Sequence, residues 1–171
     1  MFTALINVRF ASQEDGEALS EIFYESWKLA YQGILPHKDL SWLLSKRDSQ
    51  WWSEAVNRRH ILVVEYENKI VGYAHIGPNR KPKLGAQGEI FELYILPVYQ
   101  GLGMGSRLFQ EAQNFLYLRG YDGLIIWCLS ENTLGCQFYE GKGGQKVAQS
   151  FENFSGRKVH KIAYLWQEAK K

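Results

Sequence analysis

Cysteine is nearly missing from this chain of 171 residues, which has two, Cys128 and Cys136. Two thiols cannot build the multi-bridge framework of a small secreted scaffold, and neither belongs to a CxxC metal pair. They read as reduced structural thiols in a cytoplasmic protein. Cys128, in an apolar run, reads as an inert buried thiol and not as an acyl-carrying nucleophile. Long apolar runs are also absent: no stretch approaches the roughly 18 residues needed to cross a bilayer. The opening Met1–Asn7 lacks a basic segment and a long apolar segment, so no signal peptide and no membrane association are expected. Charge of one sign is lacking too, with 20 Lys and Arg against 18 Asp and Glu. The basic runs Arg58-Arg59 and Asn79–Lys83 are short enough to be solvated loops, and no nucleic-acid footprint is present. His37, His60, His75 and His160 show no HxH or HxxxH spacing, so no metal site is expected.

Aromatic residues are plentiful, at 15% with six Trp, and they require a large core or an aromatic-lined pocket. No repeat or Ser/Pro linker divides the chain, which predicts one domain over 1–171. Val8–Phe10 predicts a strand. Ser12 followed by Asp15 has capping-box spacing for a helix start. Ala18, Ile22, Phe23, Trp27, Ala30 and Tyr31 then recur at helical period until Gly33. Shorter helices are predicted near 38–44 and 49–58. Ile61–Tyr66 and Ile70–Ile76 flank Glu67-Asn68-Lys69 as a hairpin. After a Pro-, Gly- and Lys-rich loop comes a strand over Glu89–Leu96, stopped by Pro97. A glycine-rich turn, a helix over 104–119, a strand over Leu124–Leu129 and a short helix over 133–140 follow. Strands over 146–151 and 159–166 close the chain, with Ser155-Gly156 between them. Antiparallel hairpins at both ends point to an α+β fold: a single mixed, mostly antiparallel sheet flanked by helices on both faces.

The sharpest local signal is Gln100-Gly101-Leu102-Gly103-Met104-Gly105, which joins a strand to a helix. Glycines let backbone NH groups approach a ligand closely. The first NH groups of the helix have no intrahelical partner and lie at the positive end of its dipole. Together these suit a phosphate. A ligand-free connection is the plainer alternative. Neither register completes GxGxxG, because Ser106 and Leu108 stand at the last positions. No Gly-Lys-Ser/Thr follows either, so dinucleotide and P-loop readings are disfavoured.

Gln100, Gly103 and Gly105, preceded by Leu93-Tyr94-Ile95 and Pro97, match the [Gln/Arg]-x-x-Gly-x-[Gly/Ala] segment of the GNAT N-acetyltransferases. Asn132, Tyr139, Glu140 and Gly143 match a second pattern downstream, and the chain resembles that family over about Ile61 to Trp166. Gly144 departs from it, standing where the family usually has an aromatic. The resemblance implies acetyl-CoA as co-substrate, with no metal. Its pyrophosphate would lie on Gly101, Leu102, Gly103, Met104, Gly105 and Ser106, with Gln100 bracing the turn. Its pantetheine arm would run along Tyr94 and Ile95, and Asn132 would bond the arm unless it is merely a helix cap. Tyr139 would protonate the departing thiolate.

An amine acceptor must lose a proton, and Glu92 or Glu89 on the fourth strand are the candidate bases, Glu92 being favoured. Three residues apart, they face opposite sides of a regular strand. Trp27, Tyr31 and Trp42 would contact the amine by cation–π interaction or else belong to the core; His75 is a further candidate for the acceptor cleft. The expected activity is acetyl transfer to a primary amine of a small molecule or protein by direct attack. A catalytically inactive CoA-binding regulatory module is the alternative. Similar proteins are commonly homodimers, while the residues themselves leave the acceptor and oligomeric state open.

Overall fold

The computed structural model describes residues 5–154 and 156–167. Residues 1–4 of the opening segment, and Ser155 of the expected last turn, lie outside the described residues. The element order is β1 (Ile6–Phe10), α1 (Gly16–Tyr31), α2 (His37–Ser45), α3 (Ser49–Ala55), β2 (His60–Tyr66), β3 (Lys69–Pro78), β4 (Gly88–Ile95), α4 (Met104–Leu118), β5 (Leu124–Leu129), α5 (Thr133–Gly141), β6 (Gln145–Phe154) and β7 (Arg157–Trp166). Short 3-10 turns at Gln13–Asp15, Pro82–Leu84 and Pro97–Tyr99 precede α1, β4 and the glycine turn. The strands form a seven-stranded sheet in the order β1-β2-β3-β4-β5-β7-β6. The β4–β5 pair is parallel, so the sheet is mixed and the fold is α+β.

Two compact units are built from interleaved segments: 1–76 with 92–112, and 77–91 with 113–171. The chain passes from one to the other within β4, after Phe91.

In the first unit, the capping-box spacing operates through Asp15. Its carboxylate accepts from the Ser12 backbone N–H at 2.7 Å and from Arg9 Nη1 and Nη2 at 2.8 and 3.0 Å. Those bonds close the short 3-10 turn that leads into α1, whose face Leu19, Ile22, Phe23, Ser26 and Tyr31 is buried. Ile61–Val64 and Val71–Ala74 are buried as well, as expected of inner strands covered on both faces. The β2–β3 turn places Glu67 at φ 49 and Asn68 at φ 68, the left-handed pair that suits a two-residue hairpin.

In the second unit, β5 runs between β4 and β7, pairing Ile125 with Glu89 and with Leu165. Ala86, Ile125, Ala163 and Leu165 form its buried core, with Trp127 packed against them. The hairpin β6–β7 closes through the pair Phe154 and Arg157.

Candidate active site

The first unit holds a carboxylate held by several donors. Glu92, in the last half of β4, has a side chain only 10% exposed. Its Oε1 accepts from Arg47 Nη1 at 2.7 Å. Its Oε2 accepts from the Tyr73 hydroxyl at 2.9 Å and from Trp27 Nε1 at 3.4 Å. His75 Nδ1 stands 3.9 Å from Oε1, on the same carboxylate. Burial by itself would raise the Glu92 pKa. His75, the charge and hydrogen bond of Arg47, and the hydrogen bond of Tyr73 outweigh that penalty and hold it at about 2. The Tyr73 phenol is pushed well above its ordinary range by its own burial and by the Glu92 charge.

The surroundings are aromatic. Trp27 stacks on Tyr31 with centroids 4.7 Å apart, and Trp52 meets the edge of Tyr73 at 5.0 Å. Arg47 places its guanidinium over Phe23 at 4.7 Å and Trp51 at 4.8 Å. Of the aromatic acceptor candidates, Trp27 reaches the carboxylate, whereas Tyr31 is buried in the α1 face. Trp42 is exposed, with Lys46 Nζ 3.4 Å above its ring.

Further along the same strand, Tyr94 lies on the Glu92 side by strand alternation, its ring 5.7 Å from Tyr73. Ile95 is buried, and its carbonyl accepts from Gln100 Nε2 at 3.1 Å. That bond ties the turn to the end of β4. Gly101 and Gly103 take φ +80 and +87, and a Cβ on either would meet nothing within 4 Å. The left-handed backbone therefore demands glycine there, and the side facing outward is open. Met104, the first residue of α4, is buried and anchors the helix. The NH groups of this first turn have no carbonyl one turn earlier to bond.

The second unit carries the other candidates. Glu89, on the first half of β4, is 1% exposed. Its carboxylate is gripped by Arg80 through the backbone N–H at 3.0 Å and through Nη2 at 2.7 Å. Asn132 caps α5, its side-chain oxygen accepting from the Gly135 N–H at 3.0 Å. Tyr139 is buried, and among the described residues its hydroxyl makes no hydrogen bond. Burial first, and the neighbouring thiols of Cys128 and Cys136 second, push its pKa well above the ordinary phenol value. It therefore keeps its proton at neutral pH. The two thiols lie 3.8 Å apart; Cys128 is buried, and its pKa is pushed far up by that burial.

Gly144, the residue that departs from the family pattern, has a physical reason. A Cβ there would fall 2.6 Å from Trp166 Cζ2 and 3.0 Å from the Tyr139 carbonyl. Trp166 occupies that space, its ring 6.0 Å from Tyr139 and its Nε1 donating to the Lys142 carbonyl at 2.9 Å. The aromatic comes from β7, not from the residue after Gly143.

Arg47 and Tyr73 escaped the reading of the sequence. Arg47 sits in a short connection between α2 and α3 with no motif around it. Tyr73 stood in an apolar strand with no motif around it. Among the described residues no group of three or more His, Cys, Asp and Glu is arranged to hold a metal ion, and no helix is long and apolar enough to cross a membrane.

Comparison with known proteins follows the same lines. The sequence model of the Acetyltransferase (GNAT) family matches residues 17–143. An uncharacterised N-acetyltransferase of Bacillus subtilis strain 168 is 24% identical over 164 residues, covering 96% of this chain and 94% of its own. The spermidine N(1)-acetyltransferase of Thermoplasma acidophilum is 28% identical over 144 residues, covering 83% of this chain and 89% of its own. The fold is also that of the PaiA N-acetyltransferase of T. acidophilum, solved in complex with coenzyme A. That structure superposes with a TM-score of 0.73 at 23% identity, over 92% of this chain and 98% of the other. With the family match extending over most of its length, the chain belongs to the GNAT acetyltransferase family and is an acyltransferase of that type.

Proposed function

We propose that the chain moves an acetyl group from acetyl-CoA to a primary amine by direct attack in a ternary complex, and that residues 1–171 act as one domain. The observation that carries this reading is the turn between β4 and α4. Two left-handed glycines and an open helix N-terminus make a seat for the CoA pyrophosphate, with Gln100 holding the turn to Ile95. CoA supplies the activated acyl group as a thioester. The backbone of Leu102 to Ser106 binds its phosphates, and Tyr94 with Ile95 lines its arm. Asn132 already caps α5 through its oxygen, leaving its amide NH2 to bond the arm.

Tyr139 is the proton donor to the departing thiolate in this reading. A phenol is protonated at neutral pH with or without the upward shift, and the Tyr139 hydroxyl has no other duty among the described residues. Glu92 takes part by charge. A carboxylate held near 2 is a weak proton acceptor, so it draws and orients the acceptor's ammonium while the proton leaves through water. Glu89, closed off by Arg80, anchors the loop that leads into β4. An acceptor of small-molecule size is favoured by likeness to the spermidine acetyltransferase.

Initial-rate kinetics with acetyl-CoA and amine varied together test the ternary complex. Intersecting double-reciprocal lines, with no acetylated protein in intact-mass spectra, are expected. Parallel lines and an acetyl adduct on Cys128 or Cys136 would replace direct attack with a covalent relay.

A further inference from the structure

The surroundings of Glu92 contain more donors than acceptors. Arg47, Tyr73 and Trp27 all converge on this one carboxylate. Trp52, whose ring lies 5.7 Å from the Arg47 guanidinium, buries an indole N–H with no acceptor among the described residues. Arg47 itself has five N–H donors, and the bond to Glu92 is the one its side chain makes among the described residues. Its side chain is 27% exposed, so Arg47 is partly reachable from solvent beside Glu92. The rings of Phe23 and Trp51 cover the guanidinium face. What they leave for a ligand is its planar edge, the geometry that pairs with a carboxylate through two parallel hydrogen bonds.

We propose that Arg47 determines acceptor specificity by binding a carboxylate of the acceptor, so that the preferred substrates are amino acids and not polyamines. This rests on the acetyl-transfer reading of the same site. An amino acid would set its carboxylate against Arg47 and its ammonium against Glu92, giving four alternating charges. A polyamine would bring extra positive charge against the Arg47 guanidinium, and like charges in contact disfavour the wrong partner.

Matched pairs isolate the carboxylate: the standard amino acids and their amides, with spermidine as the polyamine. Turnover is read as thiol release from acetyl-CoA. Binding is read separately by quenching of tryptophan fluorescence in the presence of CoA. The expected result is a preference of about ten-fold or more for the acid form of the best amino acid over its amide. Arg47→Gln should bring that ratio near one, mainly through KM, and Arg47→Lys should restore part of it. Because the wild-type ratio needs no variant, a fold defect in Arg47→Gln does not spoil the test. Wild-type protein that binds and acetylates amides or spermidine better than any amino acid would overturn the inference and leave acetyl transfer standing. Tighter binding of acids than amides without thiol release would uphold the carboxylate site and sink the acetyl-transfer reading. If no amino acid binds more tightly than its amide, the inference fails.

Discussion

Arg47 Nη1 lies 2.7 Å from Glu92 Oε1, joining the α2–α3 connection to β4 across 45 residues of sequence. Glu92 is largely removed from water and also bonded by Tyr73 and Trp27, while Arg47 stacks on aromatic rings and stays partly exposed. Breaking one side of such a pair leaves the other charge buried without its partner, which costs more than the pair contributes.

The acid stability of the protein should report Glu92. Its folded-state pKa is depressed, so its contribution is fully present above the ordinary 4.5 and is lost as pH falls from there towards about 2. That gap corresponds to roughly 3 kcal/mol. Urea unfolding of the wild type should weaken steeply over this interval. Glu92→Gln should be less stable by a similar amount at neutral pH and show a flatter dependence below pH 4.5. Equal slopes in the two proteins would remove Glu92 from the account.

Gly103→Asp tests the phosphate seat. Its φ of +87 lies in the region that Asp tolerates better than most side chains, and no atom crowds the added Cβ. The fold should survive at a cost of about 1 kcal/mol, while the new carboxylate repels the pyrophosphate. Thermal stabilisation by acetyl-CoA should vanish in this variant and persist in part in Gly103→Asn. Unchanged affinity in Gly103→Asp would move the phosphates elsewhere.

Tyr139→Phe removes a hydroxyl that bonds to no described residue, so stability should hardly change. The ring contacts with Tyr164 at 5.9 Å and Trp166 at 6.0 Å are kept. Turnover should fall roughly a hundred-fold, the scale of a lost general acid, with acetyl-CoA binding intact. A variant with full kcat would show that the thiolate leaves without this proton.

Gly144→Ala should destabilise the fold by about 1–3 kcal/mol, because its Cβ would overlap the Trp166 ring. Adding Trp166→Leu should recover part of that loss in chemical denaturation. Additive losses in the double variant would show that the two positions do not compete for one space.

The elements were legible because local chemistry marks their ends. Pro97 stops β4, Asn132 caps α5, and Asp15 closes the turn before α1. Glu67-Asn68 likewise announced the hairpin. Elements ran longer than expected in β6 and β7, where cross-strand pairing reaches Phe154 and Arg157 and carries polar positions that alternation alone does not mark. The glycine turn was readable as a strand-to-helix connection because its spacing is local, and Tyr139 was singled out through the family resemblance. Arg47 was not, since its role depends on meeting Glu92, Phe23 and Trp51 from separate elements. Gly144 was legible as a departure, but its cause lay in Trp166, on another strand.

The central claim is acetyl transfer to an amine, and thiol release from acetyl-CoA measures it most directly. Purified protein, acetyl-CoA and a panel of amino acids, amides, polyamines and peptides would be followed with a thiol reagent, beside a melting-temperature measurement with acetyl-CoA alone. The account predicts a higher melting temperature with acetyl-CoA and acceptor-dependent thiol release that saturates in both substrates. A raised melting temperature with no release from any acceptor would contradict it and leave a CoA-binding module without catalysis.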